Sequence, residues 1–258
     1  VPFVGSDIGG FDGDVEPDLL TRWIQLGSLM PFYRNHSGLN TIPQEPWSFG
    51  REYEKINRKF ISLRYKLLPF LYTEFFHTHK TGVPVMRPLF LEFPGDEETY
   101  SVSDQFMVGE SLLAAPVLER GAERRLVYLP YGEDNSAVTW RNWWSDEKLE
   151  SGYHVVEAPL DIMPMFVREG RGVPYTQAVQ TTDIYPNKLR IKICAGKKDE
   201  SEVRIPIYHD DGETKRYSDG KYFYGTFVLD VGEETTEPKL EVERDGYQPF
   251  WDELEIDK

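Results

Sequence analysis

VPFVGSDIGGFDGDVEPDLLTRW, residues 1–23, and MPFYRNHSG, residues 30–38, are the two stretches on which the fold of this chain turns. In the first, an apolar run stops at Ser6 and Asp7, passes Gly9 and Gly10, and enters an acidic segment before Pro17. Beyond Pro17, residues Leu19, Leu20, Trp23, Ile24 and Leu26 recur at near-helical spacing, and proline suits a first helical position because that N–H has no partner to lose. MPFYRNHSG reads as a second short strand running into a polar loop. From Gly50 to Lys80 comes the longest helical pattern, with Tyr53, Ile56, Phe60, Leu63, Leu67, Leu71 and Phe75 on one stripe, and Pro69 is expected to end or kink it. Strand, helix, strand, helix is the order that parallel pairing with helical crossovers requires, so residues 1–83 are expected to form two units of a larger α/β sheet or barrel. Two units cannot close a barrel. The chain also opens inside an apolar strand pattern without a lead-in, so it is expected to be part of a longer protein.

After Gly82 the texture changes. SLLAAPVL, RLVYLP, AVTWRNWW, YHVVEAPL and MPMFVREG are short, rich in β-branched and aromatic residues, and separated by Gly, Pro, Asn or Asp. A second run, KLRIKICAG, EVRIPIYHDDG, YFYGTFVLDV and PKLEVER, repeats that texture, which predicts two all-β modules in tandem. The expected division is 1–83 for the α/β part, 84–172 for the first β module and 173–258 for the second.

Composition narrows the function. The 258 residues are 40% hydrophobic and 14% aromatic, which is globular, and a length of this order accommodates one or two domains. A formal charge of -15 would repel nucleic acid and an anionic bilayer surface. No apolar run approaches the ~18 residues of a membrane span, and the first residues lack a secretory signal pattern. A single cysteine, Cys194, excludes an intrachain disulfide and a thiolate zinc site, and points to a reducing or cysteine-indifferent compartment such as the cytoplasm.

In parallel α/β folds ligands bind beyond the carboxyl ends of the strands, and two such ends stand out here: Asp7 with Ile8, Gly9, Gly10 and Phe11, and Arg34 with Asn35 and His36. Asp7 reads equally as a turn carboxylate holding local N–H groups, and His36 alone reads as a structural histidine. Their matched position at successive strand ends favours a site. Phe11, Phe32, Tyr33, Trp47 and Phe49 offer flat apolar faces beside directional hydrogen-bonding groups, a mixture that suits a sugar, although core packing explains Phe32 as well. Asp12, Asp14 and Glu16 lack the glycine and distal glutamate of a calcium loop and read as a solvated acidic turn. His77 and His79 lie two apart on a helix and do not face one site. The glycines of GSDIGGFDG do not make a dinucleotide pattern, and no Ser-His-Asp or Cys-His grouping is evident. The aromatic segment Trp140 to Trp144 reads either as a sugar platform or as buried core.

These stretches resemble glycoside hydrolase family 31, the α-glucosidase family. GSDIGGF is similar to the family's seventh-strand motif and PFYRNHSG to its eighth-strand motif, with 25 positions from Phe11 to His36. MRPLFLEFP, DQFMVGESLLAAPVL, YLP, PLDIMPMFVREG and IYHDDGET are similar to its C-terminal segments in the same order, so the resemblance runs along essentially the whole chain. It implies the last two units of a (β/α)8 TIM barrel followed by two β-sandwich domains. It implies a retaining α-glucosidase in which Asp7, Phe11, Arg34 and His36 bind substrate in the -1 subsite, with no metal or organic cofactor. The partners it implies are an oligosaccharide or α-glucoside substrate and the remainder of the catalytic barrel. The family's nucleophile and acid/base aspartates belong to fourth- and sixth-strand motifs that do not occur here, so this chain alone is expected to be inactive. WWSDEK, at 143–148, only superficially resembles the nucleophile motif. The reading of a different class is a non-catalytic carbohydrate-binding or structural β module.

Overall fold

The structure, a computed structural model, describes residues 3–184, 186–196, 202–230 and 237–257. It begins with β1 (Asp7–Ile8), α1 (Pro17–Gly27), β2 (Arg34–Asn35), α2 (Arg51–Lys66) and α3 (Leu68–Thr81), in the order the hydrophobic pattern predicts. β1 and β2 pair in parallel with α1 as the crossover. Both strands are shorter than the apolar runs that announce them. Upstream of the ladder the Phe32 N–H still donates to the Val4 carbonyl at 3.1 Å, but Pro31 has no N–H to add a further rung. α1 presses on both strands through Gly27, where a Cβ would fall 2.1 Å from Ile8 Cδ1 and 2.7 Å from the Tyr33 ring.

The long helical pattern divides as Pro69 requires. Leu67, at φ -84° and ψ 0°, closes α2 by donating to the Leu63 carbonyl and opens α3 by accepting from Leu71 N–H. Pro69 then sits in the first turn of α3, where its missing N–H costs nothing. α3 stops at Gly82, whose φ of +79° is a left-handed cap that glycine adopts without strain.

The β region follows: β3 (Met86–Pro88), α4 (Leu89–Glu92), β4 (Phe106–Val108), β5 (Leu112–Ala114), β6 (Arg124–Leu129), β7 (Thr139–Asn142), β8 (Lys148–Glu150), β9 (Gly152–Glu157), β10 (Met165–Arg168), β11 (Arg171–Tyr175), β12 (Lys188–Cys194), β13 (Glu202–His209), β14 (Phe223–Asp230), β15 (Lys239–Asp245) and β16 (Glu253–Asp257). A six-stranded antiparallel sheet runs β3-β4-β5-β10-β7-β8, and β6 and β9 form a separate antiparallel pair. The central strands are buried on both faces, which is why LLA and MFV read as unbroken apolar runs. One face, through Met107, Leu113, Trp140 and Phe166, packs with Val127 and Leu129 of β6. The other, through Phe106, Val108, Leu112, Met165 and Val167, joins Ile8, Leu20, Ile24, Phe60, Leu67 and Leu71 in one core with the α/β unit.

Last come the sheets β11-β12-β16 and β13-β14-β15, facing each other across Leu189, Ile191, Ile193, Val203, Ile205, Ile207, Phe223, Phe227 and Leu229. α3 joins all three parts. Toward β3, Arg87 bonds Glu74 and Glu92, all three nearly buried. Toward β13, Phe76 stacks on Tyr208 at 4.3 Å, Thr73 Oγ1 accepts from Tyr208 N–H, and Tyr72 donates to Asp210.

Candidate active site at the strand ends

Ile8 is fully buried beneath α1, whereas its neighbour on β1, Asp7, points to the other face of the strand and is only half-buried. The register sets Asp7 opposite Arg34 and Ile8 opposite Asn35. Gly5 permits this approach, since a Cβ there would lie 2.1 Å from the Phe32 carbonyl oxygen. Gly9 and Gly10, both at φ +93°, turn the chain sharply away, and Gly10 N–H closes the turn onto the Asp7 carbonyl at 2.9 Å. Glycines follow the aspartate for a steric reason: the left-handed turn at Gly9 and Gly10 leaves the carboxylate at the strand tip.

Arg34 Nη2 donates to Asp7 Oδ1, with the two side chains 48% and 28% exposed. An ion pair this wet is worth at most ~1 kcal/mol of stability, so its consequence is orientation of the carboxylate. The Arg34 guanidinium also lies 5.5 Å from the centre of the Phe32 ring. At the next positions, the rings of Phe11 and His36 meet at 5.5 Å, both on exposed residues. The two loops are tied there, because Gly38 N–H donates to the Phe11 carbonyl at 2.6 Å and Ile42 N–H to Asp14 Oδ1 at 2.9 Å. The strand ends thus carry two contacts between their loops, the ion pair of Asp7 with Arg34 and the ring contact of Phe11 with His36.

The other sequence candidates divide. Trp47 is 64% exposed, while Phe49 packs partly into the core. Tyr33 turns inward and donates to the Ile24 carbonyl, and burial pushes its pKa up against the opposing pull of Arg64. Asp12 accepts from Gly13 N–H and Asp14 from Ile42, so both serve the loop. Among the described residues no group of three or more His, Cys, Asp or Glu converges as metal ligands would. His77 meets Glu74 and Tyr224, whereas His79 meets Tyr217, so the two histidines serve different contacts. Trp140 is wholly buried with its indole N–H on the Pro130 carbonyl, and Trp144 donates to the Met163 carbonyl with Lys59 over its ring. The 140–144 segment is core and seam, with Trp140 wholly buried and Trp143 and Trp144 packed partly against the core.

Sequence reasoning missed Gln44. This residue is buried in a loop whose neighbours Ile42, Pro43, Glu45 and Trp47 are exposed, and it bonds both strand tips. Its partners lie up to 36 residues away, so no local signal announces it. A cavity of about 620 Å³ lies elsewhere, between α2, α3 and the last β module, lined by Tyr65, Tyr72, Phe75, Tyr208, Tyr247 and Phe250.

Known proteins now bear on this geometry. The description "Glycosyl hydrolases family 31 TIM-barrel domain" matches residues 1–74, and "Glycosyl hydrolase family 31 C-terminal domain" matches residues 82–171. The chain belongs to glycoside hydrolase family 31, and combines part of its TIM-barrel domain with C-terminal sheet domains. It is 38% identical to alpha-glucosidase 2 of Bacillus thermoamyloliquefaciens over 253 residues, which is 97% of this chain and 31% of that protein. To a probable glucan 1,3-alpha-glucosidase of Oryza sativa subsp. japonica it is 40% identical, over 88% of this chain and 24% of the relative. Among solved structures, a Flavobacterium johnsoniae family 31 dextranase complexed with glucose superposes with a TM-score of 0.84 at 36% identity, covering 96% of this chain and 31% of that one. A Xanthomonas citri alpha-xylosidase of the family gives 0.80 at 27%, covering 97% and 28%. The chain spans less than a third of the length of the curated relatives it matches.

Proposed function

We propose that this chain contributes the seventh and eighth β/α units and two β-sandwich domains, 84–172 and 173–258, to a retaining α-glucosidase that removes terminal α-linked glucose from oligosaccharides. In this reading Asp7, Phe11, Arg34 and His36 line the -1 subsite. Asp7 and His36 hydrogen-bond sugar hydroxyls, Arg34 holds the Asp7 carboxylate in place, and Phe11 lies against an apolar sugar face. The nucleophile and the acid/base are carboxylates of barrel segments outside this chain, since neither motif occurs in its sequence.

The observation that supports this most is the contact between the two strand ends. Asp7 pairs with Arg34 and Phe11 meets His36 where two parallel strands finish, which is where barrel enzymes hold substrate. Retaining hydrolysis proceeds through an oxocarbenium-like state, and hydrogen bonds to the sugar hydroxyls that tighten in that state lower the barrier. Relatives named as α-glucosidases, and the dextranase complexed with glucose, favour the same substrate class. The alternative of a carbohydrate-binding β module loses its best platform, because Trp140 is buried and the indole N–H of Trp144 is taken by Met163.

The test is hydrolysis of p-nitrophenyl α-glucoside by this chain alone, by the full-length protein, and by this chain mixed with the preceding barrel segments. Activity is expected only when those segments are present. Turnover by the isolated chain would overturn the division of roles and make Asp7, Asp12 and Asp14 suspects for the chemistry.

A further inference from the structure

We infer that Gln44 is a positioning residue for the strand-end site, cross-linking the tips of β1 and β2 from below. This rests on the reading of that site given above. Gln44 is 6% exposed in a loop that is otherwise open to solvent. A carboxamide buried without partners loses its bonds to water uncompensated, so a buried glutamine persists where its hydrogens are used. Both are used here. Nε2 donates to the Ile8 carbonyl at 3.2 Å and to Asn35 Oδ1 at 2.9 Å, and Asn35 Nδ2 returns a bond to the Gln44 carbonyl at 2.5 Å. Three hydrogen bonds thus close a triangle between the end of β1, the end of β2 and the loop that follows.

Sterics point the same way. A Cβ on Gly9 would stand 2.8 Å from Gln44 Oε1 and 3.0 Å from its Cδ. Gly9 therefore answers two demands at once, the left-handed turn and the room for this amide. The leverage on the site is direct, since Ile8 follows Asp7 and Asn35 lies between Arg34 and His36. Being buried, Gln44 offers the sugar no surface, and it acts by fixing how the Asp7–Arg34 pair sits relative to His36 and Phe11.

In the full-length protein, Gln44→Ala is expected to lower kcat/KM for p-nitrophenyl α-glucoside on the order of tenfold, as small displacements of binding groups do. Gln44→Glu keeps the shape but turns the donor into an acceptor facing two oxygens, and is expected to do as much damage. Asn35→Asp keeps the acceptor for Gln44 Nε2 but turns the returning donor into a carboxylate oxygen facing the Gln44 main-chain carbonyl, and should give a loss of the same kind. Assays run well below each variant's Tm separate positioning from unfolding. The deciding measurement is a cycle with His36→Ala. If Gln44 acts through the strand-end groups, Gln44→Ala in the His36→Ala background costs much less than in the parent. Equal losses in both backgrounds, or wild-type kinetics for Gln44→Glu, overturn the inference. A normal His36→Ala variant would instead bring down the reading of the site itself.

Discussion

Two short aromatic stretches compete in this sequence, residues 32–38 with Phe11 alongside, and residues 140–144, and the structure treats them oppositely. Phe11, Phe32, Arg34 and His36 stay at the surface, where two parallel strands stop and their loops meet. Trp140 is swallowed between sheets, and Trp143 and Trp144 pack against the core under Lys192 and Lys59. The difference teaches that aromatic content marks no site by itself. What separates the two is the end of a strand, where the backbone stops supplying partners and side chains stay exposed.

The comparison breaks first, if it is wrong, at Trp140. Trp140→Ala removes a fully buried indole and an N–H bonded to the Pro130 carbonyl, and should cost about 3–5 kcal/mol in denaturant unfolding of the full-length protein. A loss below about 0.5 kcal/mol would put this residue on the surface and restore the platform reading.

A second wager concerns a buried titratable group far from the strand ends. His209 ends β13 among Tyr247 and Phe250, and burial, partly offset by Asp210, lowers its pKa to about 4 from 6.5. The unfolded chain takes up a proton below 6.5 that the folded chain refuses until about 4. Stability is therefore complete above pH 6.5 and lost as the pH falls toward 4, by roughly 3 kcal/mol at most. Unfolding curves across that window should lose this slope in His209→Gln. An unchanged slope would mean that the imidazole is already wet.

The exposed stretch should behave the other way round, with large kinetic and small structural effects. His36→Ala in the full-length protein is expected to lower kcat/KM about tenfold or more, while stability moves by less than about 0.5 kcal/mol. Phe11→Ala should raise KM severalfold with Tm unchanged. The smallest effect is at Cys194, whose thiol burial pushes up to about 11. A thiol reagent at pH 8 should label it only after unfolding, and the same slow labelling is expected in His36→Ala.

Much of this was legible. The parallel pair was written in two apolar runs separated by a helical period, and the break at Leu67 was written in Pro69. Asp7, Phe11, Arg34 and His36 stand out as candidates because they lie at or just beyond the ends of those runs. What stayed hidden was non-local or too short to have a period. β3, β8 and β16 are three to five residues long, and β16 owes its pairing to a strand distant in sequence, since it adds in parallel to β12. Gln44 sits in a polar loop like many glutamines, and only the carbonyl of Ile8 and the amide of Asn35 make it different. Nothing local in the sequence sets Glu74 apart on its helix, yet it is nearly buried against Arg87, and Gly109 must lack a Cβ to admit it.

That last contact belongs to α3, whose successive side chains hold the first β module through Glu74 and the second through Tyr72, Thr73 and Phe76. A helix that shares its faces in this way acts as a mortise that ties the two β modules to one another. Cutting the gene just after this helix would leave each fragment with an open joint, so amide hydrogen exchange along α3 should report the slowest, whole-body opening of the chain.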